Sequence, residues 1–382
     1  MKFQVVLTEL EAALQVVSPA LSGDATDVLG HYIFRRSAAD PSKMEILAAS
    51  RRLCALAPLQ AEILEATDDA MCTLEGKALK DWLAAFPEGS IVCFDHDEAT
   101  KETAIYPRGE DLKKNYFQAL DPKSYPWWDK NFLAATKTIT MSASKLKDAV
   151  TFAKSFVSDD DAKPELTVCE VIGKTLMATT NQILCMITMP EFEGSKFRLH
   201  NKDISAVVSF CGLCKEGSVT LYEHDRAFFL AREDGALMML ARFNISYPQL
   251  YRPKDVDDYT WKLSAQDLKR AVKAVTNVSV DEADAIRLTK ESNGPLLVSF
   301  TTRTKKQATY DVTCFEETAT DGAEPVPEIS ISRSNLKRLL GVLEGDTVIL
   351  GINIKGRRGY FRVVETRDDV EYLIMLAWKA VD

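Results

Sequence analysis

Three groups of residues in this chain have the types and spacing that chemistry can use. Asp95-His96-Asp97-Glu98 sets three carboxylates and an imidazole in a row, a composition suited to a metal ion. Cys211 and Cys214 have the spacing of a thiolate pair that binds zinc or exchanges disulfides. A lysine directly follows a leucine at Leu79-Lys80, Leu146-Lys147, Leu268-Lys269 and Leu336-Lys337, each inside a segment of helical apolar spacing. The acidic run reads as the polar tip of a hairpin, because successive side chains on a strand diverge. A metal-dependent enzyme using Asp95, His96 and Asp97 is the alternative. The cysteine pair has no second pair and no histidine cluster at zinc spacing, so it reads as packing. Most of the other six cysteines lie inside apolar runs such as Val92-Cys93-Phe94, where cysteine acts as a small hydrophobe. His31, His200 and His224 have no evident serine or cysteine partner, and no phosphate-loop, dinucleotide or zinc-helix motif occurs. The expectation is a non-enzyme with no catalytic residue, no cofactor and no metal.

The elements that carry the lysines repeat. Leu336 to Leu350 reads as a short amphipathic helix, a Glu-Gly turn and an apolar strand, and the same order occurs at Leu79–Val92 and Ile204–Leu221. The Glu-Gly pairs begin at 88, 216 and 344, spaced by 128 both times. A second series interleaves with the first: helices opening at Leu10, Leu146 and Leu268, each after a strand-like run. Ser142 and Ser264 stand where two of these helices need an N-cap. A fixed period of this kind means repeated structural units, here two helix-plus-strand units in each third of the chain.

The thirds have visible ends. Tyr125-Pro126 and Tyr247-Pro248 sit 122 residues apart, and proline suits the exit from a strand. The expected domains are 1–133, 134–257 and 258–382, each near the usual domain size. Alternating runs between the helices predict antiparallel sheet, so the fold class is α+β with two helices per domain packed on antiparallel sheets. Helices are expected over about 8–18, 76–86 and 265–276, with strands at His31–Phe34, Met44–Leu47 and Val370–Leu376. The polar stretch Glu316–Glu328 reads as a surface loop. A hydrophobic content of 46% over 382 residues is enough for real cores. No run reaches a membrane span and no signal peptide is evident, which predicts a soluble, intracellular chain.

The net charge of −9 argues against a phosphate binder until the positions of the charges are considered. Leu268, Ala271, Val272 and Val275 form a buried stripe, which turns Lys269 and Lys273 outward with Arg270 beside them. Arg338 flanks Lys337 in the same way, and Lys154 follows Lys147 by two turns. For one helix these are ordinary solvated residues. Recurrence at one register in four repeated units points them the same way in space, as a basic lining that would hold a phosphate backbone without reading bases.

The Leu-Lys-x-Ala-Val helices, the Tyr-Pro ends, Met1-Lys2-Phe3 ahead of the Leu10 helix, and Ala178-Thr179-Thr180-Asn181-Gln182-Ile183-Leu184 resemble the bacterial β sliding clamps, of bacterial or phage origin. The resemblance covers the whole chain in architecture. It implies three tandem clamp-like domains that form a ring as a head-to-tail homodimer around double-stranded DNA, without sequence specificity. It implies DNA polymerase and an ATP-driven clamp loader as partners, and a cytoplasmic, nucleoid-associated location. Lys80, Lys147, Lys154, Lys269, Arg270, Lys273, Lys337 and Arg338 would line the hole. The family's pocket for short linear peptides would map to Leu166, Thr179, Asn181, Gln182, Ile183, Leu184, Pro248, Arg252, Leu373, Ile374, Met375, Leu376 and Ala377. The ring contact would join Asn277 and Val278 to Tyr116 and Phe117. This chain departs from the family at Asn181-Gln182-Ile183, where Gly-His-Arg is usual, at its C-terminal residues, and at Gly23-Asp24, where a basic residue is usual. A clamp-like scaffold that binds peptides but does not encircle DNA is the other reading.

Overall fold

The computed structural model describes residues 1–382 apart from 38–39, 68, 111–112, 215–216, 246, 249–256, 278–284, 291–293, 302–306, 368 and 382. Among the described residues there are six α-helices: α1 (Leu7–Val17), α2 (Gly76–Leu83), α3 (Ala143–Lys154), α4 (Asn201–Gly212), α5 (Ala265–Asn277) and α6 (Arg333–Val342). All six continue directly from a strand, with no intervening loop. Ser264 shows how this is done. Its hydroxyl accepts the Asp267 N–H at 3.1 Å, so the last strand residue is also the cap of α5. Ser142 stands in the same relation to Lys145 at 3.4 Å.

The repeat is visible in the hydrogen bonds. The first residue of α1, Leu7, donates its N–H to Ser90 O at 2.8 Å. Ala143 of α3 donates to Gly217 O at 3.1 Å, and Ala265 of α5 to Asp346 O at 2.9 Å. Each bond runs from the first helix of a third to the Glu-Gly turn that follows its second helix. A helix N-terminus has N–H groups with no partner of its own, and the turn supplies one. Gly89 and Gly345 hold φ of +78° and +91°, which explains glycine in those two copies of the turn.

The strands form antiparallel sheets. A five-stranded sheet runs in the order Ala61–Glu65, Lys2–Val6, Ile91–Asp97, Glu102–Pro107, Asn115–Gln118. An eight-stranded sheet runs Thr136–Ser142, Ser218–Glu223, Ala227–Arg232, Leu237–Ala241, Leu53–Leu59, Met44–Ala49, His31–Arg36, Met71–Glu75. A thirteen-stranded sheet is built mainly from the last third. In it Ile183–Thr188 pairs with Val370–Ala380, which also pairs with Arg358–Arg367, and that strand with Thr347–Lys355. At its far edge Leu296–Thr301 pairs with Gln307–Val312.

By contacts the chain divides into two compact units, Met1–Asp148 with Lys202–Phe243, and Ala149–Asn201 with Asn244–Asp382. In the first, Leu237–Ala241 pairs with Leu53–Leu59, and Tyr125 and Trp128 pack with Ile33, Leu47 and Phe229 beneath that seam. Phe3, Phe34 and Phe94 make a second aromatic core there, with Phe3 and Phe94 stacked at 4.5 Å. In the second unit Trp261, Phe361 and Trp378 do the same work. One sequence expectation needs correcting. Glu316–Glu328 is not all loop, because Cys314–Ala319 is a strand paired with Tyr259–Ser264, Glu316 lying opposite Lys262. A strand exposed along its length has no apolar alternation to reveal it.

Candidate functional site

Lys80, Lys147, Lys154, Lys269, Arg270, Lys273 and Lys337 are all exposed, while Leu79, Leu146, Leu268 and Leu336 beside four of them are buried. One-residue offset from an apolar stripe produces this on any amphipathic helix. What is particular here is how α5 and α6 are fixed to each other. Arg333, at the start of α6, donates to Thr276 O near the end of α5 at 2.9 Å. Lys269, near the start of α5, donates through Nζ to Leu343 O just past the end of α6 at 2.8 Å. The two ties set the helices antiparallel. The ammonium also meets the negative end of the α6 dipole. Lys269 is therefore a strut as well as a surface cation, leaving Lys273 and Lys337 as the better-presented charges. Lys154 and half-buried Arg338 line one depression of about 350 Å³ between the ends of α3 and α6. The Lys147 stem runs beside Gly212 of α4.

The residues grouped as a peptide pocket separate by strand alternation. Thr179 lies opposite Leu184, and Leu184 opposite Met375, so these three share one sheet face. Met177, Met186 and Leu373 form the next row on that face and are half-buried. Ile183, Ile374 and Leu376 point the other way and are fully or almost fully buried. Thr179, Leu184 and Met375 are buried too, so the two sets differ in the face they point to more than in exposure. Met177 and Met186 extend this face beyond the residues the sequence grouped, two positions before Thr179 and two after Leu184.

The loop at one end of this face is tightly determined. Asn181 has φ of +78°, a conformation asparagine tolerates better than most residues, and its N–H reaches Thr179 Oγ1 at 3.2 Å. Gln182 accepts from Asn335 Nδ2 of α6 at 2.7 Å, and its carbonyl takes the Ala377 N–H at 2.8 Å. Leu166 is buried in the turn Pro164–Leu166, and Pro248 is half-buried. Arg252 and Val278 lie outside the described residues.

Of the ring-contact residues, Tyr116 is 62% exposed and Phe117 buried, on Asn115–Gln118, the edge of the five-stranded sheet. Asn277 is exposed at the end of α5, which packs on the edge strand Gln307–Val312. His96 turns inward to Thr103 Oγ1 at 2.9 Å, while Asp97 folds back on the Ala99 N–H at 2.9 Å. Among the described residues no three His, Cys, Asp or Glu side chains gather to hold a metal. Cys211 is buried, and burial pushes its thiol up to about 12, which disfavours the thiolate.

No protein-family model matches the chain, and no curated protein matches it in sequence. Solved structures do match, over the full length. The fold is that of the bacterial DNA sliding clamps. The DNA polymerase sliding clamp of Bacillus subtilis superposes with a TM-score of 0.82 at 15% identity, covering 100% of both chains. The DNA polymerase III β subunit of Thermotoga maritima gives 0.80 at 14% identity, again over 100% of both. The DnaN sliding clamp of Bartonella birtlesii, solved with griselimycin bound, gives 0.79 at 18% identity with the same coverage.

Proposed function

We propose that this protein is a DNA sliding clamp: three domains, 1–133, 134–257 and 258–382, two copies of which close into a ring around duplex DNA. It would act in the cytoplasm without catalysis of its own, tethering a DNA polymerase and accepting a clamp loader through short linear motifs. The carrying observation is the exposed lysine at one register of α2, α3, α5 and α6 in a chain whose net charge is −9. Concentrating cations on equivalent helices suits non-specific phosphate contact, and the full-length likeness to sliding-clamp folds supports this reading. The face bearing Thr179, Leu184, Leu373 and Met375, with Pro248, is the peptide site, and the strand edges near Tyr116 and α5 close the ring. The scaffold reading is favoured by one observation, that Lys269 is already engaged by Leu343 O.

The test is retention on DNA. The protein loaded on nicked circular DNA should stay bound in salt that strips it from linear DNA, because a closed ring leaves only over an end. Reversing Lys147, Lys273 and Lys337 to Glu should reduce loading by about tenfold or more and flatten its salt dependence. Unchanged loading in that variant, or equal loss from circular and linear DNA, would hand the function to the scaffold reading.

A further inference from the structure

Three cations stand side by side where a sheet ordinarily avoids them. Lys355 lies directly opposite Arg358, and Arg358 directly opposite Lys379, in neighbouring strands. All three are exposed, and no carboxylate among the described residues pairs with them. Like charges in opposed positions repel at Cβ separations of about 5 Å and destabilise the pairing. The hairpin holds them there regardless. Its two-residue turn places Gly356 at φ +62°, the glycine-first geometry that matches the twist of a hairpin. Gly359 lies so close to the Trp378 indole that a Cβ would sit 2.3 Å from it, and Trp378 is buried. The row is thus fixed in backbone register and carries no paired carboxylate among the described residues.

Its address is informative. Alternation along Val370–Ala380 puts Lys379 on the same face as Leu373, Met375 and Ala377. Tyr372, on the opposite face, packs against Phe152 of α3 at 4.5 Å, so the cationic row faces away from that helix. Lys379 lies four residues beyond Met375, about 14 Å along the strand.

We propose that Lys355, Arg358 and Lys379 bind an acidic stretch of partner polypeptide whose apolar residues seat on Leu184, Leu373 and Met375. This rests on the peptide-site reading above and adds the partner's chemistry: an apolar anchor followed, three to five residues on, by several Asp or Glu. The row supplies electrostatic selection and faster encounter, and the apolar face supplies retention.

The test uses the full chain and four fluorescein-labelled probes. Two are peptides with a common Leu-Leu-Phe anchor and spacer, ending in four Glu or four Gln. The others are deca-glutamate and a twelve-nucleotide oligothymidylate. The Glu-tailed peptide should bind about tenfold more tightly than the Gln-tailed one at low salt, and the advantage should collapse near 0.5 M salt. In the K355Q/R358Q/K379Q variant the advantage should vanish with the Gln-tailed affinity unchanged, and the variant should melt no lower than the parent. An advantage that survives in the variant overturns the proposal, as does oligothymidylate displacing the Glu tail from the parent alone. L373S/M375S separates the two readings. If it weakens neither peptide, the apolar site is wrong. Deca-glutamate binding, lost in the triple variant, would then keep the row as an acidic-peptide site, and no such binding would end it.

Discussion

His96 shows how a residue that looks catalytic in sequence can be an element of stability. Its carbonyl accepts from the Met1 ammonium at 2.9 Å, and its ring meets Thr103 across the hairpin. Burial, then the nearby N-terminal charge, lowers its pKa below the ordinary 6.5, against smaller opposing pulls from Glu98 and Asp97. The sign follows directly. The unfolded chain binds a proton near pH 6.5 that the native state takes up only at lower pH, so the unfolded state holds more protons in that interval. The stabilising contribution is therefore complete above about pH 6.5 and is lost as pH falls through the native value. In His96→Gln that contribution is gone. Thermal melts of parent and variant should differ most at pH 7.5 and converge toward pH 5.5. Parallel curves across that range would show that His96 is protonated as easily in the native state as in the unfolded one.

At the scale of the element, two glycines four residues apart in the repeat should respond in opposite ways. Gly345 sits at φ +91° in the turn after α6, where an alanine meets the left-handed penalty of about 1–2 kcal/mol. Gly341 is in α6 with nothing within 4 Å of a Cβ, so Gly341→Ala should gain about 0.5–1 kcal/mol of helix propensity. Chemical denaturation of the two single variants measures both, and a shared sign would refute the assignment of the turn. Ser264→Ala should cost about 1 kcal/mol through the lost cap on Asp267. The helices were legible because Leu268, Ala271, Val272 and Val275 write their own period, and the turn because Glu-Gly recurs. The seams were not. Leu237 opposite Leu56, and Leu184 opposite Met375, are long-range pairings that leave no local mark. The sequence groups Leu373 to Leu376 as one run for the same reason, without saying which of them share a face. Only the strand register divides a continuous apolar run between the two faces of a sheet, as it also turns Glu316 into a strand residue.

For the whole molecule, the decisive quantity is what closes the free sheet edges. Asn115–Gln118 and Gln307–Val312 each pair on one side only among the described residues, and each carries an exposed tyrosine, Tyr116 at 62% and Tyr310 at 44%. An open edge flanked by aromatic surface is a template for another strand, and natural chains usually blunt such edges with charge or proline. Neither is present at 115–118, where the sequence is Asn-Tyr-Phe-Gln. If a second copy covers these edges, light scattering should give a mass near twice 42.6 kDa that persists on dilution. Tyr116→Asp should then weaken association by about tenfold or more, since it places an unpaired charge in the buried centre of the contact. The same variant makes the clamp reading testable as a whole. An opened ring keeps its basic helices, so its affinity for short linear DNA should remain, while its lifetime on circular DNA should collapse to that on linear DNA. A variant that is monomeric yet still retained on circles would mean that retention depends on the cations alone and not on topology.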